Sequence, residues 1–336
     1  MRADTSVTVA GLRLKNPVIA GSGEATMTRD GILAALEADA AAVVAKSVNE
    51  SASAGRQLEA AEYVLLDPDW RLLPWGPAPR TASLFCRSGL PAEPFDRWVE
   101  SLAQCDDIAK QRDAYVVASL IVSDLERTVD MARRIESAGL RWLELNVGAP
   151  HAEEAAPGAI RAARDAEAVT HMVRPLRHAV SLPLTVKLSG QGDPLPAVGA
   201  ALLAGADAVC LAGRHLAFLP DLATRRPVLG TFGAIGGAWA LPLTLRWIAK
   251  ARMRFGSEVS ILGTNGARDG RDVIRFLLAG ASAVQMTSAV FTDGPQVLSE
   301  AVRQVEAYLS EQSVAARAII GEATDHVMSY EEVAEG

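Results

Sequence analysis

The sequence predicts an α/β protein, a single (β/α)8 TIM barrel with an N-terminal β-hairpin cap and long loops after strands 2 and 6. Three observations point there. Eight short apolar runs recur along the chain, each followed at some distance by a helical pattern, as strands alternating with crossover helices require. The second run is apolar up to its last two residues rather than alternating, which suits a strand buried on both faces. No Gly-rich dinucleotide turn follows the first run, which weighs against an open, doubly wound sheet. The length of 336 residues suits one large barrel with insertions.

The elements follow in order. Val7–Leu14 alternate apolar and polar and form the hairpin that caps the barrel bottom. Val18–Gly21 is the first barrel strand, followed by a helix around Arg29–Ala38, and Ala41–Ser47 is the second. Tyr115–Ile121 is the third, and the helix after it runs from the N-cap Asp124 to Ala138–Gly139. Arg141–Val147, Pro183–Ser189 and Ala208–Gly213 are the fourth to sixth. Ser260–Thr264 and Ala283–Ser288 complete the eight, with helices around Asp269–Ala279 and Pro295–Gln312. Two stretches exceed a minimal barrel. Residues 48–95 carry Pro68, Pro74, Pro77, Pro79, Pro91 and Pro94 with Trp70 and Trp75, and 214–241 form a second excursion. Both leave the C-terminal ends of strands, where barrel enzymes work, and loops this long are usually functional. The barrel is expected over residues 1–312, and the polar, acidic segment 313–336 as a tail or dimer arm.

Composition narrows the function. Thirty-three Lys and Arg against 40 Asp and Glu give a formal charge of −7, which argues against a nucleic-acid grip. Cys86, Cys105 and Cys210 show no C-x-x-C spacing, so neither a metal site nor a cysteine-ligated iron–sulfur cluster is expected. Three unclustered thiols suit a reducing compartment. The first fifteen residues hold no signal-peptide core, and no apolar run reaches the length of a bilayer span. A soluble, cytoplasmic protein is expected.

The strand ends carry unusual residues. Lys46 and Ser47 end strand two, Asn146 ends strand four and Lys187 ends strand five. Barrel interiors favour branched apolar side chains, so a lysine there needs an anionic or hydrogen-bonding partner. One such lysine is compatible with a structural salt bridge; two on one rim, with an asparagine between, favour a shared ligand. Glycines form a second cluster at Gly233–Gly237 and at Gly263-Thr264-Asn265-Gly266, with Thr287-Ser288 ending strand eight. Each alone reads as a turn glycine. Together they favour a phosphate-bearing cofactor, because barrels bind phosphate with the loops after strands seven and eight.

At this point the sequence resembles the class 1 dihydroorotate dehydrogenases and the related pyrimidine-reducing domain of dihydropyrimidine dehydrogenases, FMN-dependent barrels. The resemblance runs from about residue 7 to 310. It rests on Leu14-Lys15-Asn16-Pro17-Val18 leading to Gly21-Ser22-Gly23, on Ala45-Lys46-Ser47, and on Glu144-Leu145-Asn146-Val147-Gly148-Ala149-Pro150-His151. Val186-Lys187-Leu188, Gly236-Gly237-Ala238-Trp239, and Ile261 through Gln285-Met286-Thr287-Ser288-Ala289 complete it. The resemblance implies that Gly21, Ser22, Lys46, Ser47, Asn146 and Lys187 border the flavin. It implies that Gly236, Gly237, Gly263, Asn265, Gly266, Thr287 and Ser288 hold the ribityl phosphate. A cation beside the N1–C2=O edge stabilises the anionic reduced flavin, a role that suits Lys187. Lys46 would meet the ring's other polar groups or the substrate, and Asn146 both donates and accepts. The family also suggests a homodimer.

The departures fall in the substrate site. Where the family has the proton-moving cysteine or serine of its Asn-x-x-[Cys/Ser]-Pro motif, this chain has Ala149, which cannot be an acid or base. Two expected orotate-binding asparagines are replaced by Cys86 and Ala92, and the segment after strand six reads Leu211-Ala212-Gly213-Arg214-His215. Substitute groups are His151, which either moves a proton or only orients substrate, and Cys86, either reactive or a small apolar filler. Glu24 either supplies a proton or caps the next helix. Arg214 and His215 either grip a substrate carboxylate or are solvated loop charges.

The expected function is therefore an FMN-dependent oxidoreductase moving hydride between flavin N5 and a C–C bond next to a carbonyl. Its small cyclic or carboxylate substrate is other than dihydroorotate, and a quinone-like acceptor, fumarate, oxygen or a separate acceptor protein reoxidises it. The rivals are a true dihydroorotate dehydrogenase with a substitute base, a monooxygenase or non-redox flavin enzyme, and a scaffold without catalysis. A tRNA-reducing flavin barrel is disfavoured by the acidic charge and by Ala149.

Overall fold

Ala10 and Gly11, with φ of 51° and 78°, close a two-residue turn between β1 (Val7–Val9) and β2 (Leu12–Leu14). Positive φ at both central positions matches the twist of a tight hairpin. The structure is a computed structural model that describes residues 3–51, 57–91, 93–148, 160, 163 and 165–335. Ala92, Ala149, Pro150 and His151 lie outside the described residues. The Ala10 amide donates to Ser260 Oγ at 3.1 Å, at the N-terminal end of a barrel strand, so the hairpin caps the barrel bottom.

The chain then enters β3 (Val18–Ala20) and β4 (Ala42–Val44). It leaves the barrel for β5 (Glu62–Leu66), β6 (Leu72–Leu73) and β7 (Ser83–Arg87). It returns for β8 (Tyr115–Ile121), β9 (Leu143–Asn146), β10 (Leu184–Lys187) and β11 (Ala208–Leu211). A second departure makes β12 (His215–Ala217) and β13 (Gly233–Gly237), before β14 (Ser260–Thr264) and β15 (Ala283–Met286). Strands β3, β4, β8, β9, β10, β11, β14 and β15 close one parallel barrel in that order, the eight strands expected from the apolar runs.

The outer helices start where side chains supply the missing acceptors. Asp124 accepts from the Arg127 amide, Asp165 from Ala168 and Asp269 from Asp272. In the helix Leu125–Ser137, Thr128, Met131, Ala132 and Ile135 are buried, a stripe at helical spacing laid against the barrel.

The two excursions are not loops. β12, β13, β7, β5 and β6 form one antiparallel sheet on the barrel rim, with Ala234 opposite Cys86 and Gly237 opposite Ser83. Leu66, Phe85, Leu229 and Ile235 give it a small core of its own. Gly233–Gly237 is thus a buried strand rather than a turn; a Cβ at Gly233 would lie 2.6 Å from the Phe85 ring. Beyond residue 312 the chain packs on the barrel: the Ala316 amide bonds Asp4 O and Thr324 Oγ1 bonds Ala279 O, while Tyr330 and Val333 are exposed. Among the described residues no helix is long and apolar enough to cross a membrane.

Candidate active site

Strand ends and rim sheet enclose a cavity of about 1120 Å³, its open mouth included, at the C-terminal end of the barrel. Lys187 on β10 and Asn146 on β9 are register partners, so both side chains reach the same level of the barrel. Asn146 Oδ1 accepts from the Gly148 amide at 3.2 Å, which leaves its Nδ2 to donate. The loops after β14 and β15 bring Asn265, Gly266, Thr287 and Ser288 to the opposite wall. Ser88, Gly89 and Leu90, from the loop after β7, also line it.

Side chains alternate along a strand, so Glu144, two residues before Asn146, points into the same interior. It is fully buried and sits opposite Ser119 on β8. Its Oε1 accepts from Ser119 Oγ at 3.1 Å and its Oε2 from Gln285 Nε2 at 2.7 Å. Gln285 Oε1 in turn accepts from Lys187 Nζ at 2.7 Å. Ser119 Oγ lies 2.8 Å from Ser47 Oγ, which lies 3.3 Å from Ser22 Oγ. A polar layer thus crosses the barrel from Lys187 to Ser22, where apolar side chains are the rule.

The two lysines are held differently. Lys46 Nζ is ion-paired to Glu24 Oε1 at 2.8 Å, both side chains being under a tenth exposed. Arg214 Nη2 reaches Glu24 Oε2 at 3.3 Å, and Tyr63 OH donates to Glu24 Oε1 at 3.1 Å. Two cations therefore share one carboxylate and leave one net positive charge. Burial works to raise the Glu24 carboxyl, but the Lys46 and Arg214 charges outweigh it and hold the carboxyl far below the usual range. Glu24 does not cap the following helix, which Thr28 caps at Arg29–Glu37; its carboxylate is held by Lys46, Arg214 and Tyr63. Lys187, by contrast, bonds a neutral amide, and no carboxylate lies within ion-pair distance of it among the described residues.

Most residues expected at the site line the cavity: Ser22, Lys46, Ser47, Asn146 and Lys187, then Gly237, Asn265, Gly266, Thr287, Ser288 and Arg214. Others do not. Gly263 faces the core, where a Cβ would lie 2.2 Å from the Phe276 ring. Gly21 and Gly236 are set back, a Cβ falling 2.2 Å from Thr287 Oγ1 and 2.8 Å from Asn265 Oδ1 respectively. Cys86 is wholly buried in β7; burial pushes its thiol up, and its Sγ accepts from Arg214 Nη1 at 3.0 Å. That packing, away from the cavity lining, favours the filler reading. Arg214 is not a solvated loop charge, its side chain being 15% exposed. His215 sits in β12 with its ring 5.6 Å from that of Trp239, its buried Nε2 unpartnered among the described residues, and burial lowers its pKa. It is not among the residues that line the cavity.

Sequence reasoning gave no role to Glu144, Ser119, Gln285 or Tyr63. The available signal was polarity inside strands: Glu144 and Gln285 interrupt otherwise apolar runs at interior-facing positions. Among the described residues no group of three His, Cys, Asp or Glu is placed to hold a metal.

Comparison with known proteins gives the family. The sequence profile of the family described as dihydroorotate dehydrogenase matches residues 5–309. A protein of Methanopyrus kandleri named dihydroorotate dehydrogenase B (NAD(+)), catalytic subunit, is 33% identical over 84% of this chain and 84% of its own length. Proteins of the same name from Thermoplasma acidophilum and a Geobacter species are 27% and 28% identical, over 92% and 93% of this chain and 95% of each relative. With nearly the whole barrel matched and the strand-end lysines and asparagine gathered at one mouth, the chain belongs to the dihydroorotate dehydrogenase family of flavin oxidoreductases.

Proposed function

We propose that this chain holds FMN, which when bound supplies reversible hydride chemistry at N5 toward a C–C bond next to a carbonyl of a small cyclic or carboxylate substrate. The observation that carries this reading is the Lys187 cation, held on a neutral amide at the cavity floor with its charge left for a ligand. A cation so placed favours an anionic reduced cofactor. The residues present fit the group. Asn265 and Gly266 take φ of 69° and 110°, and a Cβ at Gly266 would lie 2.6 Å from the Leu241 backbone, so the loop needs glycine there. Thr287 opens its helix without a side-chain cap, and its hydroxyl and that of Ser288 line the same wall. These four residues would hold the phosphate, while Asn146 and Lys187 would hold the ring.

The substrate is other than dihydroorotate. Ala149 stands at the family's proton-moving position, and Cys86 and Ala92 stand where orotate-binding asparagines are expected. Lys46 is tied to Glu24, and Arg214 brings a second cation to the same corner. The names of the relatives favour the second reading, a true dihydroorotate dehydrogenase with a substitute base. They also name a catalytic subunit, which supports a separate protein as electron acceptor here.

An anaerobic screen of the FMN-loaded protein tests both. Dihydroorotate, dihydrouracil, NADH, NADPH and cyclic keto acids are mixed in turn and flavin absorbance is followed. Bleaching by a compound other than dihydroorotate supports the first reading, and bleaching by dihydroorotate the second. Ala149→Cys sharpens the result: if dihydroorotate bleaches that variant alone, the missing thiol is the whole obstacle. Failure of the protein to retain FMN overturns both readings.

A further inference from the structure

Glu144 has no contact with the outside of the barrel, yet two hydrogen-bonded arms run from it to the cavity. As a carboxylate it can only accept. Each hydroxyl has one proton to give, so the direction of every bond along the serine arm follows. Ser119 gives its proton to Glu144 Oε1 and must accept from Ser47; Ser47 must then accept from Ser22. Ser22 Oγ also accepts from the Ser47 amide at 3.2 Å. All three hydroxyl protons are drawn inward, and the two cavity-lining serines present lone pairs. The other arm is fixed in the same way. Gln285 gives its amide N–H to Glu144, which turns its carbonyl to Lys187 Nζ. Lys187 then keeps two ammonium protons for a ligand.

We propose that Glu144 is a positioning residue: acting through Ser119 and Gln285, it makes one side of the cavity floor a hydrogen-bond donor and the other an acceptor. The ligand class it selects is a planar heterocycle with a carbonyl for Lys187 and an N–H for the Ser22–Ser47 pair. This rests on the flavin reading above, since the pyrimidine edge of a flavin carries both groups. Glu144→Gln reverses one arm whichever way its amide turns. With the amide N–H₂ toward Ser119, the serine protons are driven out into the cavity. With it toward Gln285, that residue flips and sets its own N–H₂ against Lys187. Ser119→Ala cuts the serine arm at a residue that does not line the cavity.

The test titrates apoprotein with FMN by quenching of flavin fluorescence and measures the midpoint potential of the bound flavin. Circular dichroism at matched concentration reports folding. Wild type binds FMN; Ser119→Ala binds about tenfold more weakly, the size of one lost hydrogen bond, and Ser119→Thr, which restores the hydroxyl, binds as wild type does. Glu144→Gln moves the midpoint potential to more positive values, because a negative charge near the reduced cofactor is gone. Unchanged affinity in folded Ser119→Ala together with an unchanged potential in folded Glu144→Gln overturns the inference while leaving the flavin reading intact. If both variants unfold, folded Ser119→Thr that binds FMN more weakly than wild type overturns it, the layer then being scaffold alone. Wild type that binds no FMN overturns the flavin reading itself.

Discussion

Lys46 Nζ lies 2.8 Å from Glu24 Oε1, while Lys187, at the same rim, bonds the neutral Gln285 amide and, among the described residues, no carboxylate. Two lysines that look equivalent in sequence thus have opposite electrostatic standing. The first shares one carboxylate with Arg214, while the second has no carboxylate within ion-pair distance among the described residues and lines the cavity. Tyr63 and Arg214 join Glu24 on the Lys46 side, and Arg214 also bonds Cys86 there.

Glu24→Gln leaves Lys46 and Arg214 beside each other without their anion. Removing one partner of a buried pair costs about 3–5 kcal/mol, and a fall of that order in unfolding free energy is expected from urea titration near neutral pH. The pH dependence has a definite sign. The folded carboxyl titrates well below its ordinary value of 4.5. The unfolded chain therefore binds more protons across that window, and stability rises with pH there. The contribution is complete above 4.5 and is lost as pH falls toward the folded value. Glu24→Gln should show a shallower loss of stability on acidification than wild type; parallel acid profiles would refute the pairing.

His215 titrates below its ordinary 6.5 because burial disfavours the imidazolium. Its share of stability is complete above 6.5 and declines as pH falls through the lowered value, since only the unfolded chain protonates readily there. An imidazole midpoint below 6.5 is expected from proton NMR titration, and a midpoint above it would exclude the buried placement. His215→Phe keeps a ring against Trp239 and removes the unpartnered nitrogen. It should be within about 1 kcal/mol of wild type near neutral pH and should lack the acid decline due to this residue.

The barrel was legible because each of its strands is a local apolar run, and helix starts such as Asp124 and Asp269 are marked by a single capping side chain. The rim sheet was not. Its strands are two to five residues long, and β7 pairs with β13 across four intervening barrel strands, β8 to β11. Pairing of that range leaves no periodic mark, and Pro68, Pro74, Pro77 and Pro79, which fall between β5 and β7, make the stretch read as loop. Site residues at strand ends were readable from polarity out of place. The roles of Glu144 and Arg214 were not, because each depends on partners from several strands: Ser119 and Gln285 for one, Glu24 and Cys86 for the other.

Gly263→Ala and Gly21→Ala separate the core from the cavity. A methyl at Gly263 would lie 2.2 Å from the Phe276 ring. Overpacking of that kind costs about 1–3 kcal/mol, so thermal unfolding should shift down. FMN retention at a temperature where the variant is folded should be that of wild type. A methyl at Gly21 would displace Thr287, whose side chain lines the cavity. Gly21→Ala should therefore lose FMN in gel filtration. Equal FMN retention by the two variants would remove Thr287 from the binding wall.

Lys187→Met keeps the aliphatic stem and deletes the one cavity cation that has no carboxylate beside it among the described residues. On the FMN reading, the lost charge weakens binding of the reduced, anionic cofactor more than of the oxidised one. The variant should therefore bind oxidised FMN about tenfold less tightly, roughly the value of one charged hydrogen bond, and its bound flavin should have a more negative midpoint potential than wild type. Lys46→Met provides the contrast. That lysine already has a counter-charge in Glu24, so its loss, which leaves Glu24 to Arg214 and Tyr63, should destabilise the fold more than it shifts the potential. Equal shifts of potential in the two variants would show that both lysines face the ring as free cations, against the ion pairing seen here.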